Sequence, residues 1–408
     1  MIMKRQQLRL FETANGRNYL WPFALVTLLF FLWGFAHSIL DVLNKHFQES
    51  MHISKTESAL VQAVVYGGYF LMALPAGAII KRFGYRAGVI TGLLLYGAGA
   101  LLFIPGGQLL SFPFFLLSLF IIGCGLTCLE TAANPYVTVL GNAEGAARRI
   151  NLSQSFNGLG WILGPLVGGW FLFSGGREAD ISTPYAVIGV VVLCVAFVFS
   201  RVRLPEVEDF EHDVPAGAQT KTEKPLWRQR GFVSGMVALF LYVAAQTGIN
   251  SFFINYVTEN TSVSNADAAL MLSFGGMGLF MAGRMSGSWV MARVRSERVL
   301  LYCAVGATLS MAVLLTGAGM AGIIAFFVCY LCESIMFPTI FALAISGVGA
   351  QTKTASSLLI MCIVGGAVAP VMMGYIADHS TMGLAFAVPM VCFMVIAGYA
   401  MKLGMRNL

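Results

Sequence analysis

Two carboxylates stand in this sequence where carboxylates are rarely tolerated. Asp41 lies among Ile39, Leu40, Val42 and Leu43, late in an apolar run from Phe23 to Phe47 whose first eighteen residues carry no formal charge. A run of that length can cross a bilayer. Glu130 sits likewise inside LFIIGCGLTCLETAANPYVTVL. A carboxylate at membrane depth costs several kcal/mol unless it faces a cavity, finds a partner or takes up a proton. Two such acids suggest a polar, proton-handling path. Asn44 and Lys45 follow Asp41 within four residues, so its position also fits an acid at the aqueous end of a helix, and a kink at Gly34 would draw it back inward.

Other polar residues fall inside apolar runs near these acids. His37 and Ser38 lie about one turn before Asp41, and Thr131 and Asn134 follow Glu130, with Pro135 next. In NLSQSFN, Asn151, Gln154 and Asn157 occupy overlapping parts of one helix face. Tyr242, Gln246, Asn250 and Asn255 recur in a later run, with Gln246 and Asn250 four residues apart. Amide side chains carry both donors and acceptors, which suits a ligand rich in hydroxyls. They also serve plain hydrogen bonding between membrane helices. Glu333 is a third acid within an apolar run.

The elements that must position these groups are membrane helices. Of 408 residues, 58% are apolar and only 11% charged, where a soluble domain has about a quarter charged. Twelve spans are expected, near 21–44, 58–80, 86–104, 112–140, 150–173, 184–202, 231–257, 267–291, 298–318, 321–346, 354–376 and 383–402. No cleavable signal is expected, since the first apolar run is too long and lacks a small-residue cleavage site. The net charge of +6 reflects sorted loops, not nucleic-acid binding. Twenty-one Lys and Arg fall on one side of these spans and three, Lys45, Lys55 and Arg177, on the other. The positive-inside rule then puts both termini in the cytoplasm.

The longest polar stretch, 203–230, contains Pro205, Pro215 and Pro225 and alternating charge. It reads as a cytoplasmic linker between two units of six spans, 1–202 and 231–408. The halves echo each other: GAIIKRFGYR (77–86) and GSWVMARVRSER (287–298) each put a Gly ahead of a basic turn, after the second span of its half. Parallel six-span repeats imply alternating access, with substrate between the halves. The fold class is therefore an all-α membrane protein, with 12 transmembrane helices in two pseudo-symmetric six-helix bundles around a central cavity.

The basic turn GAIIKRFGYR resembles the loop signature of the major facilitator superfamily, with Lys81 where that signature usually has an acid. Further segments resemble the fucose permease group within it, the fucose–galactose–proton symporters. They include FFLWGFAHSILDVLNKHF (30–47), CLETAANPYVTVLG (128–141), RINLSQSFNGLG (149–160), FLYVAAQTG (240–248) and SSLLIMCIVGGAVAPVMMGYIAD (356–378). ETAANP and NLSQSFN are specific to the group, and the resemblance covers nearly the whole chain.

The resemblance implies import of a monosaccharide together with a proton; a drug–proton antiporter on the same fold is the alternative, against which the amide-rich fifth span argues. The matching acids make Asp41 the proton-coupling group and Glu130 a group that binds sugar and couples it to the proton. Ser38, His37, Asn134, Gln154, Asn157, Gln246 and Asn250 are then the expected sugar contacts beside Glu130. Ser38 stands where the best-known fucose transporters have Asn, which leaves the sugar open between L-fucose and glucose, galactose or N-acetylglucosamine. Glu333 departs from the group's pattern, and pairing with His37 is one role open to it. No resident cofactor or metal is expected, the coupling ion being the proton. The chain lacks GxxxxGK[ST], so it is no ATP-driven pump, and no enzyme signature is present. The expected location is the bacterial cytoplasmic membrane, and the expected state a monomer without nucleic-acid partners.

Overall fold

The computed structural model describes residues 11, 18–141, 146–173, 182–202, 225–291, 293–346, 348 and 352–406. The first half holds α1 (Leu20–Ser50), α4 (Phe112–Val139), α5 (Ala146–Phe173) and α6 (Ser182–Arg201). Between α1 and α4 runs one helical stretch, Leu60–Leu101, with non-helical geometry at Gly84 (φ 82°, ψ 171°). A positive φ of this kind is open to glycine and strained for any other residue. The chain doubles back there: a Cβ on Gly88 would sit 2.6 Å from Ile80 Cγ1, eight residues earlier. The arms are therefore two crossings, α2 (60–83) and α3 (85–101). Eleven stretches are long and apolar enough to span a bilayer among the described residues. Counting the folded one twice gives the twelve expected.

The second half holds α7 (Arg230–Asn260), α8 (265–291), α9 (Ser296–Leu315), α10 (319–345), α11 (352–379) and α12 (382–406). Four of these are interrupted, α12 by a single turn residue, Phe386. A wide π-helical turn, Met271–Met277, lies in α8, a 3₁₀ turn, Cys362–Val364, lies in α11, and α10 breaks between Glu333 and Met336. Such breaks are common at functional sites in membrane carriers.

Packing repeats between the halves. In the first, α1 packs on α5, α3 on α6, and α4 on both α2 and α3. In the second, α7 packs on α11, α9 on α12, and α10 on both α8 and α9. Across the seam α1 meets α7, α2 meets α11 and α5 meets α8. Each seam contact maps onto itself or its mate when the halves are exchanged, so two six-helix bundles face each other across a pseudo-two-fold axis.

The expected elements need three adjustments. α1 runs unbroken past Gly34 and on to Ser50, six residues beyond the expected end. Gly34 is a contact point and no kink: the backbone of Asn157 touches the place of its missing Cβ, and Asn157 Nδ2 lies 2.9 Å from it. Arg149, expected in a loop, is fully buried, with Nε donating to the Val137 carbonyl at 3.1 Å. Most of the expected linker, 203–224, lies outside the described residues. The basic turn after α2 has a local task as well, because Arg86 donates to the carbonyls of Phe199 and Ser200 near the C-terminus of α6. A cation suits a helix end where carbonyls lack partners.

Candidate functional site

The extra length of α1 decides the environment of Asp41. At 1.5 Å per residue the helix is about 46 Å long, and nine residues follow Asp41 before it ends. Asp41 is 3% exposed. Its Oδ1 accepts a hydrogen bond from Gln62 Nε2 on α2 at 3.0 Å, and its Oδ2 is buried without a partner. It is enclosed by protein and lies in no aqueous layer.

Asp41 lines a cavity at the seam. His37 joins it from α1, Gln62 and Tyr66 from α2, Trp161 from α5, and Gln246, Thr247 and Asn250 from α7. Both halves contribute. Thr247 Oγ1 reaches Tyr66 Oη across the seam at 3.3 Å, and Asn250 Oδ1 is buried without a partner. His37 Nε2 shares a hydrogen bond with Tyr69 Oη at 2.9 Å, and its ring lies 13° from parallel to Trp161 with centroids 6.0 Å apart. Tyr69 also lies against the half-buried Glu130 carboxyl. A polar line thus runs from Glu130 through Tyr69 to His37 at the cavity wall.

The cavity measures about 40 Å³. That admits water, which needs roughly 10–15 Å³, and falls far short of the roughly 300 Å³ of a small-ligand pocket. The seam is tied shut at the C-terminal end of α1. Asn44 Nδ2 donates to the Ser251 carbonyl at 2.8 Å, and Asn255 Nδ2 to Gln48 Oε1 at 2.6 Å. Lys55 Nζ pairs with Glu259 at 2.8 Å, and Asn265 Nδ2 reaches both oxygens of Glu49. Asp378 accepts from Lys55 N, Thr56 N and Thr56 Oγ1 at 3.0, 2.8 and 2.6 Å.

The candidates divide when placed in three dimensions. Asp41, His37, Gln246 and Asn250 meet at the cavity, with Glu130 one tyrosine away. Ser38 does not line it: fully buried, its hydroxyl donates to the Gly160 carbonyl at 3.1 Å and sits where a Cβ on Gly164 would fall. Asn157 is likewise engaged between helices, with Nδ2 donating to the Phe30 carbonyl at 2.9 Å. Gln154 is half-buried and Asn134 Oδ1 is buried without a partner, and neither lines the cavity. Glu333 does not pair with His37, whose imidazole is bound to Tyr69. Gln62, Tyr66, Tyr69, Trp161 and Thr247 went unread in the sequence. The amide of Gln62 inside an apolar run was the one signal that could have found them. Among the described residues no group of three or more His, Cys, Asp or Glu could hold a metal.

Two six-helix membrane bundles with a polar cavity at their seam define a carrier of the alternating-access class. The chain belongs to the Major Facilitator Superfamily, whose sequence pattern it matches over residues 26–370. It is 35% identical to a glucose/galactose transporter of Brucella abortus, over 96% of both chains. It is also 35% identical to the L-fucose-proton symporter of Escherichia coli K12, over 95% of this chain and 94% of that one. Among solved structures, the transporter FucP in its outward conformation superposes with a TM-score of 0.68 at 35% identity, covering 95% of this chain and 99% of that one. The partially occluded inward-open xylose transporter XylE of E. coli superposes at 0.73 with 12% identity, covering 93% and 98%, a likeness of fold alone.

Proposed function

We propose that this protein carries a monosaccharide into the cell together with a proton, with L-fucose as the leading substrate and glucose, galactose or N-acetylglucosamine as competitors. The observation that carries this reading is Asp41. One oxygen is held by Gln62, and the other is left without a partner in a cavity whose walls supply amides, hydroxyls and aromatic faces from both halves. Amides and hydroxyls match sugar hydroxyls, and Trp161 offers a flat apolar face. The 35%-identical relatives are a glucose/galactose transporter and an L-fucose symporter, which agrees with a sugar and leaves its identity to experiment.

The cycle follows from charge. With the outer end open, Asp41 takes up a proton and sugar enters between the halves, reaching Glu130 through the Tyr69 line. Neutralising the acid lowers the cost of closing the seam over it. The ties around Lys55, Asp378 and Glu259 then form, the far end opens, and sugar and proton leave to the cytoplasm. Units 1–202 and 231–408 act as the two rocking bodies, joined by a cytoplasmic linker at 203–230. The protein works as a monomer in the bacterial cytoplasmic membrane, with both termini inside and no cofactor beyond the coupling proton.

Uptake of labelled L-fucose, glucose, galactose and N-acetylglucosamine into proteoliposomes, with and without an inward proton gradient, tests this. Accumulation of one of these sugars against its gradient only when the proton gradient is present is the expected result. Accumulation that ignores the proton gradient, or no uptake of any of the four, rejects it.

A further inference from the structure

Glu333 is absent from the cycle above, yet among the described residues it is the acid with both carboxyl oxygens buried and unpartnered. It has no exposed surface. It closes the first segment of α10, at the break before Met336.

The groups around it come from four helices. From α10 itself come Cys329, Tyr330 and Cys332. From α7 comes Tyr242, whose hydroxyl donates to the Glu333 backbone carbonyl at 2.9 Å and not to its carboxyl. From α9 comes Cys303, which faces Cys332. From α8 comes Arg284, with Nε 3.4 Å from the Ser334 carbonyl and its guanidinium 4.8 Å over the Phe280 ring. The Tyr330 hydroxyl is also buried without a partner, and it lies within electrostatic range of both Asp41 and Glu333.

An ionised carboxylate sealed in protein with no partner costs several kcal/mol, which the neutral acid avoids. The break in α10 gives this acid a way out. Backbone interrupted at membrane depth is where carriers place groups that meet ions, because the two segments can move independently. When the break shifts, the Arg284 guanidinium, which already lies against the carbonyl of the next residue, is a cation at hand for the anion.

We propose that Glu333 is a further proton-binding carboxyl of this carrier, contributed by the half opposite Asp41, with Arg284 receiving its anion. In the closed state Glu333 holds its proton. When the seam opens to the cytoplasm the proton passes to water, and the carboxylate pairs with the Arg284 guanidinium. Each sugar then travels with one proton more than the first-half acids alone supply. This rests on the symport reading above.

The test is the proton-to-sugar ratio, read as a reversal potential in proteoliposomes at clamped membrane voltage. The probe is labelled L-fucose, or labelled galactose if only that is carried. Wild type should give a ratio of two or more, Glu333→Gln a ratio lower by one, and Glu333→Asp the wild-type value. Equal ratios in wild type and Glu333→Gln, or an equal fall in both variants, overturn the proposal. Should neither variant reconstitute, the ratio in Glu130→Gln decides, since Asp41 is then the first-half acid left in the path: a ratio of two sustains the proposal and a ratio of one overturns it. A wild type that moves sugar without protons would instead sink the symport reading itself.

Discussion

Gln62 Nε2 lies 3.0 Å from Asp41 Oδ1, and among the described residues this is the one hydrogen bond on either carboxyl oxygen of Asp41. The bond joins α2 to α1 and leaves Oδ2 for a visiting proton. Hydrogen bonds to charged groups are worth about 1.5–3 kcal/mol, and about 1.4 kcal/mol is tenfold in an equilibrium constant. Gln62→Leu should therefore lower proton-driven sugar uptake by roughly tenfold or more while the protein still inserts and folds. Initial rates in proteoliposomes check this, and an unchanged rate would remove Gln62 from the coupling machinery.

Asp41→Asn keeps the shape and the Gln62 contact while abolishing proton exchange. Accumulation against a sugar gradient should vanish. Sugar exchange between equal pools, which needs no net proton movement, should persist. Normal concentrative uptake in this variant would reject the role of Asp41.

Glu130 reaches the cavity only through Tyr69 and His37, so Glu130→Ala should weaken binding as well as transport. Equilibrium sugar binding to the purified protein is the direct measurement. Intact affinity with lost flux would confine Glu130 to the proton path. Tyr69→Phe removes the hydroxyl that touches both His37 and Glu130 and should reproduce part of the Glu130 defect.

Asp378 accepts three hydrogen bonds from Lys55 and Thr56 across the seam. It is the most heavily bonded of the ties at that end. Asp378→Ala should shift the population toward a state open there. With native cysteines replaced, spin labels at His52→Cys and Ser262→Cys would report longer distances in this variant than in its parent. An identical distance distribution would show that the Asp378 tie does not hold the seam.

Ser38 and Gly164 test the expected sugar contact at Ser38 against a packing role between α1 and α5. Ser38→Ala should leave the sugar KM within about twofold, because its hydroxyl bonds to the Gly160 carbonyl between α1 and α5. Gly164→Ala forces a Cβ onto Ser38 and 3.0 Å from the Ile39 nitrogen. Overpacking of this kind costs about 1–3 kcal/mol. A lowered melting temperature is expected, and a raised KM for Ser38→Ala with unchanged stability would restore that residue to the sugar site.

Much of the architecture was legible because lipid imposes length. Apolar runs near twenty residues, cut by basic turns, place twelve crossings with small boundary errors. The φ of 82° at Gly84 folds a 42-residue helical stretch into two of them. The site was legible only in outline. Asp41, Glu130, His37, Gln246 and Asn250 betrayed themselves as polar groups in oily runs. Ser38 and Asn157 carry the same signal, because a polar side chain that bonds a neighbouring helix breaks the pattern just as one facing a cavity does.

The sequence by itself determined the number of crossings, the two-fold repetition and the presence of acids that lipid cannot solvate, since each follows from the cost of placing charge and backbone in hydrocarbon. Only the tertiary structure decided which polar groups share a space. Asp41 is enclosed because α1 outruns its expected end and the second half closes over it. Glu333 stands alone because nothing from the neighbouring helices bonds its carboxyl. The first fact depends on helices some 207 residues apart in the chain and the second on helices up to 91 residues apart, and no local pattern records them.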